Sequence, residues 1–316
     1  MKLLITRPMT PAVTARARDE FDVDIRDSNA PLSIDEMARA LRDYDVVVPT
    51  LGDVFSADVF EMVTVPRCKL LANFGVGFNH IDVAAAQAAG VRVTNTPGAV
   101  TDATADIAMT LLLATARRAG EGERLVRSGN WQGWHPTQML GQHVTGKRVG
   151  IIGMGRIGQA IARRCHFGFG MQVSYQSRTP KDLDFPAEFV PDLAALASVA
   201  DFLVVAVPGG VDTFHLIDAS VLSAVRPSAI LVNIARGEVV DEVALIHALK
   251  TGQIAGAGLD VYEFEPAVPQ ALREMESVTL LPHLGTATEE VRTDMGHMAL
   301  DNVAAFVAGR PLPNLV

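Results

Sequence analysis

Residues 147–158, Lys-Arg-Val-Gly-Ile-Ile-Gly-Met-Gly-Arg-Ile-Gly, constrain this chain more than any other stretch. The run 148–152 reads as a short buried strand that breaks into a glycine turn, and the turn opens a helix over about 157–164. The three glycines form G-x-G-x-x-G. Gly153 permits a tight turn out of the strand. Gly155 lets a pyrophosphate come against the backbone, and Gly158 lets the helix pack close on the strand. Arg156 and Ile157 fall at the helix start, where unpaired N–H groups and the positive dipole end favour phosphate. A strand before the motif and a helix after it predict a dinucleotide site.

The rest of the chain alternates strand and helix signals. In the first hundred residues, apolar runs at 3–6, 45–48, 69–73 and 91–94 end at proline, glycine or asparagine. Helical stretches separate them, and Ser33-Ile34-Asp35-Glu36 reads as a capping box. After the glycine motif come strands at 172–176, 202–207, 229–234, 254–260 and 278–281, again with helices between. The expected fold is α/β, with two doubly wound parallel sheets. Helices over 100–118 and 288–307 read as crossovers. The expected domains are therefore 1–98 plus 287–316, with residues 99–286 inserted between them. The helix over 100–118 is apolar on most faces and must be covered by another surface. Residues 120–146, which hold Trp131 and Trp134, read as an irregular arm.

Bulk properties narrow the class. The chain has 316 residues, enough for two domains. It is 49% hydrophobic and 20% charged, which supports a sizeable core. A formal charge of -9 argues against a nucleic-acid or anionic-membrane partner, since both need a basic surface. No apolar run approaches a membrane span, and the strand-like N-terminus does not read as a signal peptide. Cys68 and Cys165 have no metal-ligand spacing and read as small apolar residues of a reducing, cytoplasmic compartment. No metal site is expected.

Ligands of open α/β sheets sit beyond the carboxyl ends of the strands. In the second sheet those ends carry Ala235-Arg236-Gly237, then Asp260 and Glu265, then Pro282-His283-Leu284-Gly285. The set fits reduction of an α-keto acid. Arg236 can grip a carboxylate in bidentate fashion. His283 can give a proton to the carbonyl oxygen, and a carboxylate on its far ring nitrogen fixes the tautomer. His80, His135 and His215 lack comparable company, and His80 could cap the helix that follows it.

On these residues the chain resembles the D-isomer-specific 2-hydroxyacid dehydrogenases over nearly its whole length. The resemblance is carried by Asn73-Phe74-Gly75-Val76-Gly77-Phe78-Asn79-His80-Ile81-Asp82, the glycine motif, the segment 232–242, Ala257-Gly258-Leu259-Asp260-Val261 and the segment 281–288. Within that family the likeness is to glyoxylate/hydroxypyruvate reductases, through 282–288 and Tyr175-Gln176-Ser177-Arg178-Thr179. It implies a Rossmann-like coenzyme domain inserted in a flavodoxin-like substrate domain. It also implies an enzyme with Arg236, Glu265 and His283 as its catalytic set. Substrate-binding residues would be Leu51, Val76, Gly77 and Trp134 with Arg236 and His283, the N–H groups of Val76 and Gly77 holding the substrate carboxylate. Cofactor-binding residues would be Thr104, Gly153, Gly155, Arg156, Ile157, Gly158, Ser177, Arg178, Thr179, Val207, Pro208, Thr213, Ile234, Ala235, Arg236, Asp260, His283 and Gly285. Phosphoglycerate dehydrogenase, formate or phosphite oxidation, and an NAD-binding co-repressor stand as alternatives.

Two further expectations concern cofactor and assembly. NAD-binding folds carry an acid about 20 residues past the glycines that accepts the ribose hydroxyls. Here that strand end reads Gln176-Ser177-Arg178-Thr179, with no acid, so nothing repels a 2′-phosphate and Arg178 attracts it. NADP(H) is the expected cofactor, with NAD(H) possible. A homodimer is expected, with the helix over 100–118 and the arm over 131–139 in its interface.

Overall fold

In a computed structural model that describes all 316 residues, the chain forms two compact units, residues 1–100 with 286–316 and residues 101–285. The breaks fall at 100/101 and 285/286, where the sequence reading set them at 98/99 and 286/287.

The first unit is built on strands Lys2–Ile5, Asp22–Ile25, Val46–Val48, Leu70–Ala72 and Arg92–Thr94, here β1 to β5. They form one parallel sheet in the order β2-β1-β3-β4-β5. Alternation along each strand divides its side chains between two faces. Leu4, Val47 and Leu71 join Leu41, Phe55 and Val59 in one core. Leu3, Ile5, Val46, Val48, Leu70 and Ala72 join Val13, Ala299, Leu300 and Val303 in the other. The strand β2 has no clear signal in the sequence, because Asp-Val-Asp-Ile is short and half charged. The aspartates face out at the sheet edge, where charge discourages further pairing. The helix Ile34–Asp43 has its capping box: Ser33 Oγ accepts the Glu36 N–H, and the Glu36 carboxylate accepts the Ser33 N–H at 2.7 Å. The helix Val83–Ala88 is capped by Asp82, which accepts the Ala85 N–H at 2.9 Å, and not by His80. An N-cap aspartate reaches the third N–H of its own helix, whereas His80 turns inward onto Asn73.

The second unit is built on strands Arg148–Ile152, Gln172–Gln176, Ala187–Phe189, Phe202–Val205, Ile230–Asn233, Gly256–Leu259 and Val278–Leu280, β6 to β12. All pair in parallel, in the order β12-β11-β10-β9-β6-β7-β8. The winding direction reverses between β6 and β9, so the loops leaving these two strands diverge and open a crevice at their carboxyl ends. Helix Thr101–Ala116 lies against this unit's own sheet. Thr104, Ala105, Ala108, Met109, Leu111, Leu112, Thr115 and Ala116 are buried there. The approach is close because β11 offers glycine: a Cβ on Gly258 would fall 2.9 Å from Leu111 Cβ. Much of the apolar helix is therefore covered within its own unit, while Ile107 and Leu113 stay partly buried against the same core.

The expected irregular arm also begins later than expected. Residues Ala119–Arg127 form a helix. Glycines at 120 and 122 disguised it, since each weakens a helix by roughly 1 kcal/mol relative to alanine. Arg118 pairs with Glu121 at 2.7 Å and Arg127 pairs with Glu123 one turn before it, which offsets part of that cost. No helix in the chain is long and apolar enough to cross a membrane.

Candidate active site

Parallel pairing carries the loops after β6, β7, β9, β10, β11 and β12 to one rim of the second sheet. At the first of these, Gly153 has φ +97°, and a Cβ there would fall 2.6 Å from the Ala206 carbonyl oxygen. A Cβ on Gly158 would meet the Gly153 carbonyl oxygen at 2.0 Å. Both positions therefore exclude any side chain. Gly155 is different: it is the N-cap of helix Arg156–Arg163, and a Cβ there would meet nothing within 4 Å. Open space over the first N–H groups of a helix fits a dinucleotide pyrophosphate. Arg156 and Ile157 form the first helical positions. Val207 packs against Gly153, and Thr213 Oγ1 donates to the Pro208 carbonyl at 2.7 Å, which closes the loop after β9.

Beyond β7, Ser177 Oγ donates to the Thr179 carbonyl at 2.7 Å, which curls the loop. Arg178 is exposed on it and in no ion pair. Lys181, which the sequence reading passed over, brings Nζ within 3.2 Å of Thr179 Oγ1. One cation thus reaches this hydroxyl, and Arg178 precedes it in the chain, at the strand end where an acid would serve NAD.

Arg236 follows β10. Buried Asn233 ends that strand and fastens the turn on both sides, accepting the Ala235 N–H at 3.0 Å and donating to the Arg236 carbonyl at 3.0 Å. Ile234 and Ala235 are buried. Gly237 is pressed against the next loop, where a Cβ would fall 1.8 Å from the Tyr262 carbonyl carbon. Arg236 Nη1 donates to the Ala235 carbonyl at 2.7 Å. Burial works against its charge, and the carboxylates of Glu265 and Glu238 support it. Glu238, absent from the expected set, accepts the Gly210 N–H at 3.0 Å and ties the loop after β9 to this turn.

His283 sits after β12 at φ +55°, a left-handed conformation that costs a non-glycine residue energy. Asp260, almost fully buried, compensates. Its carbonyl accepts the His283 N–H at 2.9 Å, and its carboxylate accepts the Leu284 N–H at 2.6 Å and the Gly285 N–H at 2.8 Å. Burial raises the Asp260 pKa, partly opposed by these N–H groups and by His283. Thr104 Oγ1 anchors the same loop through the Gly285 carbonyl at 3.1 Å. His283 Nδ1 lies 2.8 Å from Glu265 Oε2, while Glu265 Oε1 accepts the Tyr262 N–H at 3.0 Å. Burial pushes the Glu265 pKa up. The His283 hydrogen bond and charge, the Tyr262 N–H and the Arg236 charge outweigh it, and the net shift is downward. Glu265 is thus an ionised acceptor, and Nε2 of His283 is left to exchange a proton.

Trp134 is 80% exposed, and no hydrogen bond or ring contact joins it to Glu265 or His283. In the first unit, Leu51 is half-buried on the loop after β3, and Val76 and Gly77 are half-buried after β4. Their loops are joined at their base, where Phe74 N–H donates to the Pro49 carbonyl at 2.9 Å. No group of three or more His, Cys, Asp or Glu in the chain could hold a metal ion.

The family model "D-isomer specific 2-hydroxyacid dehydrogenase, NAD binding domain" matches residues 109–285. A glyoxylate reductase of Thermococcus onnurineus is 44% identical over 100% of this chain and 95% of its own length. A glycerate dehydrogenase of Hyphomicrobium methylovorum is 36% identical over 98% of this chain and 96% of its own. Among solved structures, an NADPH-dependent glyoxylate/hydroxypyruvate reductase from Sinorhizobium meliloti, in complex with NADP and malonate, is 35% identical. It has a TM-score of 0.88 and covers 100% of this chain and 96% of that one. With the sheet orders and the rim described above, these likenesses establish that the chain belongs to the D-isomer specific 2-hydroxyacid dehydrogenase family.

Proposed function

We propose that this chain is an enzyme that reduces a two- or three-carbon 2-keto acid, glyoxylate or hydroxypyruvate, to the D-2-hydroxy acid. The observation that carries the reading is the His283–Glu265 pair, 2.8 Å apart, with both Glu265 oxygens already committed. A bound nicotinamide cofactor supplies the hydride. His283 gives the proton to the carbonyl oxygen from Nε2, and Glu265 holds the ring in the tautomer with Nδ1–H. The pair Glu265 and Arg236 also fixes where charge resides: the guanidinium grips the substrate carboxylate and orients the carbonyl. Residues 101–285 act as the coenzyme unit, and residues 1–100 with 286–316 as the substrate unit. Of the latter, the Val76 and Gly77 N–H groups bind the carboxylate, and Leu51 limits the size of the substituent.

NADPH is the preferred cofactor in this reading, because Arg178, Lys181 and the Thr179 hydroxyl replace the ribose-binding acid. A homodimer is supported by the arm rather than the long helix: Val126, Trp131, Trp134 and Leu140 are 60%, 52%, 80% and 67% exposed, more than a lone domain leaves to water in one stretch.

The test is a comparison of kcat/KM for glyoxylate, hydroxypyruvate and phenylpyruvate with NADPH and with NADH. The two small acids with NADPH are expected to lead. Better turnover of phenylpyruvate would sink the substrate reading, and sedimentation as a monomer at micromolar concentration would sink the dimer.

A further inference from the structure

In the loop after β4 the carbonyls of Gly75, Val76 and Gly77 are all claimed by protein donors, that of Gly75 also by the Thr96 N–H at 3.0 Å. The Asn73 side-chain amide donates to the carbonyls of Gly75 and Gly77, each at 3.0 Å. The Asn95 amide donates to the carbonyl of Val76, the one between them, at 2.9 Å. Asn73 is fully buried, and its Oδ1 is occupied by His80 Nε2 at 3.0 Å, so its amide can face the loop only as a double donor. The Gly75 N–H folds back on the Asn73 carbonyl at 3.1 Å. By contrast, the N–H groups of Val76 and Gly77 donate to no protein acceptor. Turning successive carbonyls to one side turns the intervening N–H groups to the other, which makes a concavity that binds anions.

We infer that Asn73 and Asn95 are positioning residues for substrate. By holding the carbonyls of Gly75, Val76 and Gly77 inward, they aim the Val76 and Gly77 N–H groups at the substrate carboxylate. The inference rests on the reading above that these N–H groups bind that carboxylate. An aspartate at 73 keeps size and still accepts from His80, but its second oxygen faces two carbonyl oxygens and repels them. The loop then rotates, and the anion site loses its geometry. Asn95→Asp does the same to one carbonyl.

The experiment uses the full-length enzyme and reads four quantities in Asn73→Asp and Asn95→Asp. These are KM and kcat for glyoxylate, the inhibition constant of oxamate, a carboxylate that is not reduced, and the dissociation constant of NADPH from fluorescence. Asn73→Asp is expected to raise KM and the oxamate constant by about tenfold or more, the scale of lost hydrogen bonds to a charged group, and Asn95→Asp by several-fold. NADPH binding should stay within about twofold, since no cofactor contact is altered. A merely structural role would lower both affinities together. Should Asn73→Asp fail to fold, Asn95→Asp decides alone. Substrate and oxamate constants unchanged in the folded variants would overturn the inference. So would a parallel loss of NADPH binding. Arg236→Lys serves as the control. If it weakens oxamate while the asparagine variants do not, the inference fails and the reductase reading stands. A wild-type protein that neither reduces glyoxylate nor binds oxamate would remove both.

Discussion

His283 Nδ1 and Glu265 Oε2 lie 2.8 Å apart, joined across two loops that leave neighbouring strands, β11 and β12. The pairing commits one ring nitrogen to the protein and frees the other for the substrate. Burial raises the Glu265 carboxyl, and the His283 contact, the Tyr262 N–H and the Arg236 charge together bring it below its ordinary value.

His283→Gln removes the proton donor. The expected loss in kcat is about a hundredfold or more, the usual scale of general acid catalysis, with KM for NADPH little changed. Steady-state kinetics in the reductive direction check this, and a kcat within tenfold of wild type would reassign the proton donor.

Glu265→Gln keeps the shape of the pair but removes the charge that supports the imidazolium. Reduction needs the protonated ring and oxidation the neutral one. The reductive rate of wild type should therefore fall as pH rises, and in Glu265→Gln that fall should begin at lower pH. The oxidative profile should move in the same direction, its rise beginning earlier. Unchanged profiles in both directions would separate Glu265 from the titration that matters.

Arg178→Ala tests the cofactor preference. A charge-assisted hydrogen bond contributes about 1.5–3 kcal/mol, so KM for NADPH should rise about 10- to 100-fold. NADH lacks the phosphate and should be nearly unaffected. Lys181→Ala should shift the ratio in the same sense by less, since its ammonium reaches the site through Thr179. Equal losses for both cofactors would show that neither cation reads the phosphate.

Asp53 predicts an acid limit on stability. Its carboxylate is fully buried and accepts from Thr6 Oγ1 at 2.6 Å, Arg7 Nη1 at 2.9 Å, and the N–H groups of Leu32 and Thr50 at 3.0 Å each. Burial alone would raise its pKa; these donors and the Arg7 charge overcome that, and the net shift is below the ordinary 3.8. A depressed carboxylate contributes stability that is complete above the unfolded value and is lost as pH falls through the folded one. Asp53→Asn should therefore cost about 3–5 kcal/mol near neutral pH, as for a broken buried pair. The gap to wild type should shrink below about pH 4, where the unfolded aspartate takes up its proton. Denaturant melts at pH 7 and pH 3.5 check both halves.

Most of the second unit was legible in the sequence because its signals are local; its short edge strand Ala187–Phe189 was not. A strand, three glycines and a helix occupy twelve consecutive residues, and their steric reasons hold within that segment: Gly158 must be glycine because of Gly153, five residues away. Arg236, Asp260, Glu265 and His283 were legible for a related reason. A parallel sheet sends every strand's carboxyl end to one rim, so residues after successive strands can be assigned to it before any distance is known. Where local signals were weak the reading failed. The edge strand Asp22–Ile25 is too short and charged to announce itself, and glycines at 120 and 122 hid a helix that its ion pairs sustain.

What only the tertiary structure decided is which groups meet across loops. Helix Thr101–Ala116 reads as apolar on nearly every side, but that it spends those faces on its own sheet depends on Gly256 and Gly258, some 140 residues later. The asparagines Asn73, Asn95 and Asn233 all stand at strand ends, a signal that could have marked them as fasteners of the loops that follow. Their partners could not be named, because a side-chain amide has both donors and an acceptor and its choice is set by which backbone groups the fold leaves unpaired beside it. Sequence determined the residue types and the rim they share. The fold determined their pairing, because hydrogen bonds depend on distances of about 3 Å that spacing along a chain does not encode.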